Sequence, residues 1–109
     1  MGIYEMRADL AKALAHPLRL EILGILLTEG ETCVCEITDK VGAQQPTVSK
    51  HLSVLRDAGI LTSRKDGLMV FYDIRVPCIQ GFFDCLDRVL EEDLRRRQAH
   101  LEEGGHTDE

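Results

Sequence analysis

One run confines what this chain can fold into: Ala43-Gln44-Gln45-Pro46-Thr47-Val48-Ser49-Lys50-His51-Leu52-Ser53-Val54-Leu55-Arg56-Asp57-Ala58-Gly59-Ile60-Leu61. Pro46 suits the first turn of a helix, and Gly59 ends it. Val48, Leu52 and Leu55 recur at i, i+4 and i+7, so they pack inward while Gln45, Ser49, Lys50 and Ser53 face out. Strands are expected at 61–65 and 69–74, around Asp66-Gly67. An Asp-Gly pair marks a hairpin because its turn needs positive φ angles. Ahead of the run, 36–41 reads as a short helix with Gly42 as its C-terminal turn. Two short helices across a tight turn, then a hairpin, make a winged helix-turn-helix. Its second helix is built to enter the major groove of double-stranded DNA, where bases are distinguishable.

The flanking segments are helical. Ile3, Met6, Leu10 and Leu14 share one face of a helix over 3–14. Pro17 opens a second helix over 17–28 that is apolar on most sides, as a central core helix is. From Pro77 to about Glu103 runs a long amphipathic helix with Ile79, Phe82, Phe83, Leu86, Val89 and Leu90 on its apolar face. At 1.5 Å per residue it extends about 40 Å, too far for so small a domain to cover. The expected fold is mainly α with a β-hairpin wing: five helices in one domain over 1–103, a homodimer through the first and last helices, and a disordered tail at 104–109.

Net charge is −6 over 109 residues, but it is unevenly spread. Residues 43–65 carry Lys50, Arg56, Arg64 and Lys65 against Asp57 alone. Positive charge therefore gathers on the reading head, and phosphate contact depends on local charge. Gln45, Thr47, Ser49 and Lys50 are expected to reach bases or phosphates. His51 and Arg56 are expected on the DNA backbone, with Arg64 and Lys65 on the wing. No apolar run approaches the roughly 20 residues of a membrane span, and no signal peptide precedes the first helix. The expected location is cytoplasmic, with the four cysteines as reduced thiols. Neither a nucleophile–base pair nor a glycine-rich phosphate loop is present, so the chain does not read as an enzyme.

Cys33-Val34-Cys35 precedes the reading head. Residues two apart face one side of an extended segment but diverge in a helix. With Glu36 starting the short helix, Cys35 falls near its N-cap and both sulfurs serve one site. A helix N-terminus also favours thiolate, the form that binds soft metals. Cys78 and Cys85 lie seven apart on the last helix beside Phe82 and Val89, where cysteine commonly packs as a small apolar residue.

The run Ala11 to Leu23, with His16-Pro17-Leu18-Arg19-Leu20 at its centre, resembles the second-helix signature of the ArsR/SmtB repressors. Cys33-Val34-Cys35-Glu36-Ile37 resembles the metal-binding start of that family's third helix, and Gln45 to Leu61 its recognition helix. The resemblance is close over about 8–75 and looser beyond. It implies a homodimeric repressor, joined through its first and last helices, that leaves its operator when an inducer binds. DNA binding then needs no cofactor. The inducer is a thiophilic ion such as As(III), Sb(III), Cd(II) or Pb(II), held by Cys33 and Cys35. The arsenic sensors usually carry a third cysteine where Thr38 stands here, leaving Cys78 and Cys85 as further thiols. The family's zinc site is matched in spacing by Asp87, His100 and Glu103, with Val89 in place of its remaining histidine. The alternative signal is redox, with oxidation bridging Cys33 or Cys35 to Cys78, Cys85 or another chain.

Overall fold

The computed structural model describes residues 2–104, so most of the tail expected to be disordered lies outside the described residues. Helices α1 (Ile3–Leu14) and α2 (Pro17–Glu29) come first. Strand β1 (Thr32–Cys33) leads directly into α3 (Val34–Val41). Then follow α4 (Gln45–Asp57), β2 (Leu61–Asp66), β3 (Met69–Ile74) and α5 (Ile79–Gly104). The chain divides at Val76–Pro77 into two units, one ending with the wing and the other holding α5.

Local chemistry sets the helix ends in the first unit. Pro17 begins α2, and the His16 Nδ1 accepts from the Leu18 N–H at 3.1 Å, satisfying one of the free donors there. Gly42 closes α3 at φ 70°, ψ 22°, a left-handed conformation that glycine adopts without steric cost. Gly59, at φ 86°, closes α4. There the Gly59 N–H donates to the Arg56 carbonyl and the Ile60 N–H to the Leu55 carbonyl, the paired bonds of a Schellman cap.

Ile22, Leu23 and Leu26 of α2 are buried, so the helix read as apolar on most sides is central. They form the core with Ile37 of α3, Val48, Leu52 and Leu55 of α4, and Leu61 and Tyr72 of the sheet. Burying each large aliphatic side chain contributes roughly 1.5–3 kcal/mol. This packing fixes α3 and α4 on either side of Gly42.

The sheet has three strands where the sequence suggested two. Its order is β1-β3-β2, all antiparallel. Thr32 pairs with Tyr72 and Cys33 with Phe71. Across the other edge of β3, Arg64 pairs with Phe71 and Asp66 with Met69. The hairpin turns at Gly67, φ 64°, as Asp66-Gly67 required. On α1, Ile3, Met6 and Leu10 are exposed, and on α5 so are Val89, Leu90, Leu94 and Leu101. No helix among the described residues is long and apolar enough to cross a membrane.

Candidate nucleic-acid interface and thiol site

Helix α4 presents two unlike faces. Val48, His51, Leu52 and Leu55 are buried, while Gln45, Thr47, Lys50 and Arg56 are exposed and Ser49 and Ser53 are half-buried. Five of the residues expected to meet DNA along this helix therefore have solvent-facing surface: Gln45, Thr47, Ser49, Lys50 and Arg56. Arg56 also lies 3.3 Å from its neighbour Asp57. Lys50 and Lys65 make no ion pair among the described residues.

His51 departs from the expectation of a backbone contact. Only 9% of its surface is exposed. Its Nδ1 accepts from Arg19 Nε at 3.0 Å, and its ring lies 4.4 Å from that of His16. Arg19 reaches on to the Ala13 carbonyl at 3.1 Å. His51 thus ties α4 to α2, and its ring is committed to the interior. Burial, and then the charges of His16, Arg19 and Lys50, push its pKa below the ordinary value.

Arg64 is on the wing but is already engaged. Its guanidinium donates to both carboxylate oxygens of Glu31, at 2.8 and 3.1 Å. It also lies 4.7 Å from the centre of the Phe71 ring. The hydrogen bonds from Arg64 hold the Glu31 carboxyl below its usual range. Sequence reading missed this pairing, because 33 residues separate the partners and no local pattern joins them.

The thiols converge as expected, though by a different local structure. Helix α3 starts at Val34, two residues before the predicted start, so Cys33 is the N-cap and Cys35 lies in the first turn. Cys33 keeps an extended backbone, φ −77°, ψ 156°, which swings its side chain beside the turn. Its Sγ accepts from the Glu36 N–H at 3.4 Å and lies 2.7 Å from Cys35 Sγ. Cys33 is buried and Cys35 exposed. The helix terminus was expected to favour thiolate, yet the hydrogen bond with Cys33 pushes the Cys35 pKa up, and burial and the Cys33 charge add to it. Ionising Cys35 is therefore harder beside Cys33, and an ion that binds Cys35 must displace its proton. Thr38 adds no sulfur, and its hydroxyl donates to the Val34 carbonyl at 2.7 Å.

A cleft of about 170 Å³ joins this pair to the reading head. It is lined by Cys33, Val34 and Cys35, by Gln45 and Ser49 of α4, and by Leu68, Met69 and Val70 of the wing. Sequence reading placed the thiols near the head but missed the wall supplied by the wing. No local pattern announces that wall, because pairing of β3 with β1 brings it to the thiols.

Cys78 and Cys85 are both exposed, so the apolar packing expected of them is not what holds them. Cys78 stands ahead of α5, which begins at Ile79. Asp87 and His100 are exposed on α5, and the Glu103 side chain lies outside the described residues. Thirteen residues of helix separate Asp87 from His100, about 20 Å, so one chain does not bring them together. Among the described residues there is no group of three or more His, Cys, Asp or Glu able to hold a metal ion.

Comparison with known proteins assigns this geometry. Residues 16–63 match the description "Bacterial regulatory protein, arsR family". An uncharacterised helix-turn-helix transcriptional regulator of Mycobacterium tuberculosis, Rv0081, is 34% identical over 101 residues, 93% of this chain and 89% of its own length. The chain belongs to the ArsR family. It is an ArsR-family DNA-binding transcriptional regulator and not an enzyme. The Rv0081 crystal structure superposes with a TM-score of 0.79 at 35% identity, covering 89% of this chain and 97% of that one. The homodimeric winged helix-turn-helix domain of Mb0332 from Mycobacterium bovis gives 0.73 at 27% identity, covering 98% and 90%. Over 64 residues, 59% of this chain and 55% of its own length, the arsenical resistance operon repressor of Escherichia coli is 43% identical. ArsR-family structures thus share the helical frame and wing described here.

Proposed function

We propose that this ArsR-family protein is a homodimeric repressor that grips operator DNA and releases it when a thiophilic ion binds Cys33 and Cys35. Gln45, Thr47, Ser49 and Lys50 meet the major groove, Arg56 the DNA backbone, and Arg64 and Lys65 the flanking phosphate. The exposed apolar faces of α1 and α5 join the subunits, in line with the homodimeric Mb0332 domain. One domain with terminal dimerisation helices then accounts for the chain up to residue 103.

The observation that carries the reading is the shared cleft: both thiols and two DNA-facing residues, Gln45 and Ser49, line one space. An ion seated on the thiols alters the head's surroundings without any distant relay. Release needs only that the ion favour the DNA-free arrangement, since coupling is a difference in affinity between two states. The arsenical resistance repressor among the relatives supports an ion of this class. As(III), Sb(III), Cd(II) and Pb(II) are the candidates, and DNA binding itself requires no cofactor.

An operator gel shift with arsenite or cadmium tests the proposal. Wild-type protein releases DNA, and a Cys33→Ser, Cys35→Ser double variant stays bound. Equal responses from the two proteins refute it. The exposed Cys35, Cys78 and Cys85 thiols also favour a second reading, a thiol–disulfide switch that bridges Cys33 or Cys35 to Cys78, Cys85 or another chain. That reading requires release by diamide together with a disulfide detectable by non-reducing mass spectrometry.

A further inference from the structure

The wall of the thiol cleft includes a methionine, whose thioether is a source of a third sulfur. Met69 opens β3 and lines the same space as Cys33 and Cys35. The strand register explains why. Cys33 pairs with Phe71, and Met69, two residues before Phe71, lies on the same face of β3. Met69 remains 43% exposed, so it is not committed to the core. The remaining wall is Val34, Gln45, Ser49, Leu68 and Val70, without a carboxylate or an imidazole.

Two thiols and a thioether select among ions. Zinc takes four ligands from thiolate, imidazole and carboxylate, and calcium and magnesium take oxygens. As(III) is suited to a third thiolate, but Thr38 stands in that position with its hydroxyl bonded to the helix backbone. Mixed thiolate and thioether sulfur suits monovalent copper. We infer that Cys33, Cys35 and Met69 form a three-sulfur site for Cu(I). This rests on the reading of Cys33 and Cys35 as the inducer site and adds to it an ion beyond the four named there.

Binding is an exchange without electron transfer. One Cu(I) enters, the two S–H bonds release two protons, and two copper–thiolate bonds form. The thioether donates a lone pair and loses nothing. The filled site carries one net negative charge beside Gln45 and Ser49, where phosphates would otherwise approach. It also fastens the start of α3 to the turn end of the wing hairpin.

The test titrates reduced full-length protein, without oxygen, against the Cu(I)–bicinchoninate complex. Wild type withdraws one copper per chain. Met69→Leu keeps its circular dichroism and its metal-free operator binding, but holds copper more weakly by at least the roughly ten-fold that losing even an outer-shell partner costs. X-ray absorption counts three sulfurs around copper in wild type and two in Met69→Leu. Arsenite affinity is the same in both. Equal Cu(I) affinity and sulfur count in the two proteins overturn the site. If copper fails to bind while arsenite or cadmium still releases the operator through Cys33 and Cys35, this inference falls and the thiol-ion reading stands. If no thiophilic ion binds that pair, both fall.

Discussion

The buried histidine of α4 makes the fold sensitive to acid in a calculable way. In the folded chain His51 Nδ1 accepts the Arg19 Nε–H, so the ring's own proton sits on Nε2. Protonating Nδ1 would set one N–H against another and place a cation among His16, Arg19 and Lys50. Burial and those charges accordingly lower its pKa from the ordinary 6.5. The unfolded chain titrates near 6.5 and binds more protons than the folded chain in the window below it. Stability therefore rises with pH there. It is fully present above about pH 6.5, is lost as pH falls toward the folded pKa, and levels off below it. If the folded ring stays neutral at pH 5.5, the loss by that point reaches a ceiling of about 1.4 kcal/mol. Urea unfolding of wild type and His51→Asn at pH 7.5 and 5.5 measures it. The Asn Oδ1 takes the place of Nδ1 as acceptor for Arg19 but does not titrate. Its smaller size costs roughly 1 kcal/mol at every pH, so the difference between the two pH values is the readout. Wild type loses more stability than the variant on acidification. Equal losses refute the argument, and a His51 resonance titrating at or above 6.5 in the folded protein refutes its premise.

Glu31→Gln weakens the hold on Arg64. If Arg64 meets phosphate, operator affinity rises, and the slope of log affinity against log salt steepens by about one unit. Fluorescence anisotropy across a salt series checks this, and an unchanged slope removes Arg64 from the interface. Gly42→Ala meets no neighbouring atom but keeps a φ of +70°. It should therefore cost about 1–2 kcal/mol from backbone conformation alone, measured by urea midpoint. Leu10→Glu with Leu94→Glu places charge on exposed apolar positions of α1 and α5. Sedimentation velocity should report a monomer that keeps its helical circular dichroism, while a persistent dimer refutes the proposed interface.

Elements that announce themselves through periodicity or turn chemistry were legible. Helix α4, the hairpin at Asp66-Gly67 and the apolar α2 follow from spacing, Pro46, Gly59 and residue type. Strand β1 was not, because two residues are too few to show alternation, and only Phe71 and Tyr72 on a distant segment make Thr32 and Cys33 a strand. His51 shows how polarity can mask a position. It lies three residues after Val48 and so belongs to the buried stripe, yet its ring suggested a DNA contact. The thiol pair was legible because its chemistry is local. Its wall was not, since Met69 is brought there by strand pairing.

The register has a dynamic consequence. Cys33, Phe71 and Arg64 form one row across the sheet, but β1 contributes only two residues to it. So short an edge gives its backbone amides little protection, and they should exchange with solvent faster than those between β2 and β3. Occupying the thiols would clamp that fraying edge. Deuterium uptake at Thr32 and Cys33 would then slow on loading, making this two-residue strand an early reporter of the site.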